Sequence, residues 1–186
     1  MFFYLVRHGQ TDWNKEKRLQ GQADIPMNEF GISQMNELAD KMAATGFKAD
    51  RIISSPLCRA RDSAGIISEK IGFSGDIVID PDFTERNFGK LEGVIWYPGL
   101  DTDNPEYGAE KVMELCDRAK RALSKYSFGA DEKVMIVAHG AILTAVKLVL
   151  SEGMLEYHDS DVPIIQGNVL CCERTEGKEP NFYQMF

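Results

Sequence analysis

The sequence predicts an α/β fold with a mainly parallel sheet. Short apolar runs of strand type alternate with amphipathic stretches of helical period along the chain. Two of those runs, far apart, end in the same way: Phe2-Phe3-Tyr4-Leu5-Val6 stops at Arg7-His8-Gly9, and Val134-Met135-Ile136-Val137-Ala138 stops at His139-Gly140. A buried strand that releases histidine and glycine from its end reads as the edge of a site, and two such ends imply two histidines at one edge of one sheet.

In chain order, the first strand leads into a polar loop, Gln10 to Asn28, that either connects or cradles an anion. A helix comes next, in which Ile32, Met35, Leu38, Ala39 and Met42 share one face, with Asn28 as cap and Gly46 as stop. Arg51 to Ser54 is a second strand. Ser55-Pro56-Leu57 opens a helix with Ala60, Ala64, Ile67 and Ile71 inward and Gly72 at its end. Arg59 falls in the first turn, where a cation opposes the helix dipole, so an anion-binding role is more natural than a structural one. Arg61 reads as surface.

Asp76 to Ile79 alternates into a third strand. The stretch from Asp80 to Ala109 is too long for an idle loop and carries Glu85 and Glu92. Val112, Leu115, Cys116, Ala119 and Leu123 mark the next helix, residues 133 to 138 the fourth strand, and a further helix begins near Ala141. Val169 to Cys172 and Phe182 to Met185 are later strands towards an edge, which can pair with a second copy, so the chain is expected to be a monomer or homodimer.

With 186 residues and no repeat or linker, residues 1–186 are expected to form one domain. The formal net charge of −8 argues against nucleic acid or an anionic membrane as partner, since both call for a basic face. The apolar start is short and lacks a basic leader, and no window approaches a membrane span, so a cytoplasmic location is expected. Cys58, Cys116, Cys171 and Cys172 show no metal-ligand spacing and are expected to be reduced, with no structural zinc.

The residues that can do chemistry sit just past the strand ends. Ligand crevices of open α/β sheets lie beyond the carboxyl ends of the strands, and Arg7 with His8, Arg59, Glu85 and His139 come after strands one to four. Two arginines offer forked donors for phosphate oxygens and stay charged. A histidine can attack phosphorus, and neighbouring guanidiniums keep it neutral and nucleophilic. Glu85, held beside a phosphate dianion, can protonate a leaving alkoxide and later activate water.

At these residues the chain resembles the histidine phosphatase superfamily, also called the phosphoglycerate mutase-like family. The likeness runs through LVRHGQTDWN, RLQGQADIPMNEFG, ISSPLCRARDSA, FTERNFGKLEG and VAHGAIL, almost the whole chain. It implies a three-layer α/β/α sandwich, with His8 as the phosphorylated nucleophile, Arg7, Arg59 and His139 as holders of the phosphoryl oxygens, and Glu85 as proton donor. It further implies phosphate or substrate contacts at Gly9, Asn14, Gln20, Gly21 and Gly140, with Glu92 supporting its loop, and no metal or cofactor.

Members include mutases and phosphatases. Phe88 and Ala141 stand where mutases resemble one another in having tyrosine and a polar side chain, and no adjacent arginine pair lies between Glu85 and His139. A metal-independent phosphomonoesterase of the histidine acid type, acting on a small phosphate ester, is therefore expected. The alternatives are a cofactor-dependent phosphoglycerate mutase and a non-catalytic phospholigand-binding protein. Trp96, Tyr97 and Tyr107 either wall the leaving group or pack within their loop. His158 and the run Lys15 to Arg18 are expected at the solvated surface.

Overall fold

A computed structural model describes residues 1–157 and 162–186; the reading of His158 therefore lies outside the described residues. The elements are β1 (Phe2–Arg7), α1 (Asp12–Lys15), α2 (Glu29–Ala44), β2 (Arg51–Ser54), α3 (Cys58–Lys70), β3 (Val78–Ile79), α4 (Val112–Ser124), β4 (Lys133–Ala138), α5 (Gly140–Leu150), β5 (Val169–Glu173) and β6 (Asn181–Gln184). Between β3 and α4 the chain makes three short 3₁₀ turns, Pro81–Phe83, Gly89–Leu91 and Pro105–Tyr107.

The strands form one sheet in the order β3-β2-β4-β1-β5-β6. β3, β2, β4 and β1 run parallel, whereas β5 and β6 are antiparallel additions, which places the tail at an edge as its sequence suggests. Alternation along β1 explains the continuous apolar run: Phe3 and Leu5 enter one core with α4 and α5, and Tyr4 and Val6 enter the other with α2 and α3. Helices cover both faces, giving the three-layer α/β/α arrangement.

The helix ends obey their sequence signals. Asn28 caps α2 by accepting from the Gly31 amide, and Gly46 and Gly72 follow α2 and α3 with φ of 72° and 64°, the left-handed conformation that costs glycine least. Four expectations need correction. Ile32 is 45% exposed, and the inward position in the first turn of α2 belongs to Gly31, where a Cβ would overlap the carbonyl of Gln10. The helix after β2 starts at Cys58 instead of Ser55, because Ser55 continues the extended chain and its Oγ accepts from the Leu57 amide at 3.3 Å. The third strand holds only Val78 and Ile79, both exposed, since it is an edge strand paired on one side. The polar loop after β1 contains α1, closed by a capping box between Thr11 and Asn14.

The pairing of β1 with β4 positions the site. Arg7 is in register with Ala138, so the next residue on each strand, His8 and His139, leaves the sheet beside the other.

Candidate active site

The rings of His8 and His139 lie 5.0 Å apart between centroids. His8 is 3% exposed, and its Nδ1 sits 2.7 Å from the carbonyl oxygen of Gly9. A carbonyl can only accept, so Nδ1 carries the proton and Nε2 keeps a free lone pair. Burial, and then Arg59 and Arg7, hold the His8 pKa well below the ordinary histidine value, although the bond to Gly9 works the other way.

His139 is fully buried at the start of α5. Arg59 Nε donates to its Nδ1 at 3.2 Å, and since a guanidinium only donates, the ring proton is on Nε2, which donates to Ser55 Oγ at 2.7 Å. Burial comes first among the causes that push its pKa down, followed by His8, Arg59 and Arg7. Both histidines are neutral in this arrangement.

The two arginines are used differently. Arg7, the last residue of β1, has a buried Nε with no hydrogen-bond partner among the described residues. A buried donor left unmade is costly, and here it stands beside Gly140, where an added Cβ would lie 3.5 Å from the Arg7 guanidinium carbon. Arg59 instead reaches from α3 to the loop before α2: one terminal nitrogen donates to Ala23 O at 2.7 Å and the other to Gly21 O at 2.9 Å. It therefore shapes the rim as well as supplying charge.

Glu85 sits in the loop between the first two 3₁₀ turns. Its carboxylate accepts from the amides of Ala141 (3.1 and 3.2 Å) and Ile142 (3.0 Å), at the N-terminus of α5, and from its neighbour Arg86 at 2.9 Å. The free amides and positive end of the helix hold the carboxylate at the mouth of the site.

Arg7, His8, Arg59 and Glu85 border a cavity of about 200 Å³, together with Asn14, Gln20, Gly21 and Gly140. Asn14 Oδ1 accepts from the Thr11 amide, and Gln20 Oε1 accepts from the Thr11 hydroxyl at 2.9 Å, leaving the NH₂ ends of both amides to donate. Gly21 has φ of 51°, and a side chain there would overlap the carboxylate of Glu92. Glu92 accepts from the amides of Gln22 (2.9 Å) and Phe88 (3.3 Å), which is the loop-supporting position expected for it.

Not every expected residue faces this cavity. Gly9 does not line it: its amide donates to Ser63 Oγ at 3.1 Å, its carbonyl orients His8, and a Cβ would overlap the carbonyl of Gly31. Close packing of β1 against α2 is thus what requires glycine. His139 lies behind Arg59 and does not border the cavity either. Arg18 departs from its expected place on a solvated run: it borders the cavity, donating to Gly93 O at 2.8 Å and pairing with Glu16 at 2.5 Å. The isolated bridge between Arg18 and Ile95 pulls it there. Trp96 and Tyr97 are about half exposed and form no wall, while the carbonyl of Tyr107 packs against Gly89; Leu19, Phe88 and Ala141 supply the apolar part of the mouth.

Three partners carry no local sequence signal as site residues. Ser55 fixes the His139 tautomer. Gln166 donates to the backbone carbonyl of His8 at 3.0 Å and to Asn14 Oδ1 at 3.2 Å, from the far end of the chain. Arg118 donates to the backbone carbonyl of Glu85 at 3.2 Å. Two larger hollows, about 760 and 820 Å³, lie by Met1 and Lys178 and by Lys15 and Phe30, and neither includes the two histidines, Arg7, Arg59 or Glu85.

Comparison with known proteins agrees with this geometry. The family model described as histidine phosphatase superfamily (branch 1) matches residues 3–177. The chain is 39% identical over 156 residues to the uncharacterized phosphatase PhoE of Bacillus subtilis, covering 80% of this chain and 77% of that protein. It is 32% identical over 166 residues to a metal-independent phosphoserine phosphatase of Arabidopsis thaliana, covering 80% and 68%. Proteins named as probable phosphoglycerate mutases match as well. Among solved structures, a mycobacterial glucosyl-3-phosphoglycerate phosphatase complexed with VO3 superposes with a TM-score of 0.80 at 22% identity, covering 98% of this chain and 96% of that one, and shares the fold. The order of the strands, the paired histidines at their ends and the match across the chain together establish that this protein belongs to the histidine phosphatase superfamily.

Proposed function

We propose that the protein is a metal-independent phosphomonoesterase that works through a phosphohistidine on His8. The observation that carries this reading is the bond from His8 Nδ1 to Gly9 O, which leaves Nε2 unprotonated at the wall of a cavity where Arg7 has a donor unspent. Nε2 attacks phosphorus, the ester P–O bond breaks, and Glu85, which enters this step carrying a proton, gives it to the departing oxygen and is left as the carboxylate. Water then attacks the phosphohistidine as Glu85 takes a proton from it, releasing inorganic phosphate and restoring neutral His8. Arg7 and Arg59 supply fixed positive charge for the phosphoryl oxygens, and the free amide groups of Asn14 and Gln20 add neutral donors. His139 accepts from Arg59 Nε and so holds that guanidinium from behind.

A cavity of about 200 Å³ suits a phosphoryl group with a small leaving group, so the substrate class is small phosphorylated metabolites. The relative named as a phosphoserine phosphatase makes phosphoserine a natural first compound to test. Hydrolysis is favoured over mutase chemistry because Leu19, Phe88 and Ala141 make part of the mouth apolar, and the cation there, Arg18, is already engaged by Gly93 O and Glu16. A test is phosphate release, in the presence of chelator, from p-nitrophenyl phosphate, phosphoserine, sugar phosphates and 3-phosphoglycerate, with formation of 2-phosphoglycerate monitored alongside. Release that vanishes in His8→Ala is expected. Isomerisation without release would make the protein a mutase, and silence in both assays would leave phospholigand binding.

A further inference from the structure

We infer that Arg118 of α4 is a positioning residue for Glu85, acting through the backbone of the loop that carries it; the inference rests on the reading of Glu85 as proton donor. Arg118 spends its whole guanidinium there. Nε and one terminal nitrogen hold the two carboxylate oxygens of Glu110 at 2.8 and 2.7 Å. The other terminal nitrogen donates to the carbonyls of Asp82 (2.8 Å) and Thr84 (2.6 Å), and the remaining N–H goes to the carbonyl of Glu85 itself at 3.2 Å.

An ion pair alone would need only the fork on Glu110. The three bonds to carbonyls instead bind the segment that leads into the acid, and the pair is largely removed from solvent, at 12% and 15% side-chain exposure. Glu110 is itself fixed to that loop: its amide donates to Asn87 O at 2.8 Å and its carbonyl accepts from Arg86 Nε at 2.7 Å. Glu85 is thus held at both ends, its carboxylate by the amides of Ala141 and Ile142 and its main chain by Arg118 and by Gln22 Nε2 at 3.2 Å. No lysine reproduces this, because an ammonium has three donors and no planar fork.

Misplacing a proton donor by about 1 Å costs up to about 100-fold in rate. The loss has a signature: an alkyl leaving group needs the proton, whereas p-nitrophenolate departs without one. The test is kcat/KM, which reports the first chemical step, for phosphoserine and for p-nitrophenyl phosphate in Arg118→Lys, Glu110→Gln and Glu85→Gln, with thermal midpoints recorded. For Arg118→Lys and Glu110→Gln the expected result is a loss of about 10- to 100-fold on phosphoserine with p-nitrophenyl phosphate within about threefold, the pattern of Glu85→Gln in milder form. Equal losses on both substrates in Arg118→Lys and Glu110→Gln, or no loss at all, while Glu85→Gln keeps the leaving-group pattern, would overturn the inference. If Glu85→Gln itself lowers both substrates equally, the reading of Glu85 as acid fails first. If one replacement does not fold, the other decides.

Discussion

Arg59 Nε donates to His139 Nδ1 across 3.2 Å of buried space, joining the start of α3 to the start of α5. The bond makes Arg7 and Arg59 unequal: Arg59 is tied to His139, Gly21 and Ala23, whereas Arg7 keeps a buried donor without a partner among the described residues. Removing each should therefore have different consequences.

Arg7→Met is expected to lower kcat/KM by about 100-fold or more, because charge-assisted bonds to the phosphoryl oxygens are lost, while the unfolding midpoint holds or rises as an unsatisfied buried donor disappears. Arg59→Met is expected to lose activity and also about 2–5 kcal/mol of stability, since two loop carbonyls and His139 lose their donor together. Steady-state kinetics paired with urea unfolding separates the two cases.

The pH dependence of stability originates in the histidines. Their folded pKa values lie below the unfolded value, so below about pH 6.5 the unfolded chain binds more protons and stability falls with falling pH. His139→Gln should flatten the part of that slope it contributes. A second loss is expected at lower pH. The Asp82 carboxyl is held down to about 2, first by its bond with Arg121, and Asp80 is also lowered by bonds with Lys125, the Asp82 amide and Tyr126 against the opposing effect of burial. Depressed carboxylates contribute stability above their unfolded pKa of about 3.9, and it drains away as pH drops below that. Denaturant midpoints at several pH values would resolve the two windows.

Gly21→Ala should cost about 1–3 kcal/mol, as a side chain must sit at positive φ and displace the Glu92 carboxylate from the Gln22 amide. The same change should raise KM more than it lowers kcat, because Gly21 borders the cavity and is not a proton donor or nucleophile. Unfolding and kinetic measurements on one preparation test both halves.

The sheet, the helices and the convergence of Arg7, His8, Arg59 and Glu85 were legible because period and strand ends are local signals. That His8 and His139 meet at one sheet edge could be inferred from two apolar runs with the same ending; the register of Arg7 with Ala138 is what brings it about. What stayed hidden depends on contacts between distant segments. Gln166 acts 158 positions from His8, Ser55 looks like an ordinary strand-end serine, and Arg118 falls on the polar side of a helical pattern. Ile32 fits the helical stripe by period, but the approach of Gln10 to Gly31 turns α2 so that the smaller residue faces inward. Arg18 reads as a solvated cation until its bridge to Ile95 brings it to the cavity.

The central claim is that the phosphoryl group passes through His8 Nε2. Rapid mixing with labelled p-nitrophenyl phosphate, then quenching in base and peptide mapping, tests it directly. The account predicts a base-stable, acid-labile phosphoryl group on the peptide containing His8, formed as p-nitrophenolate appears and absent in His8→Ala. Phosphate release at full rate with no label on that peptide, or label carried by another residue, would contradict it.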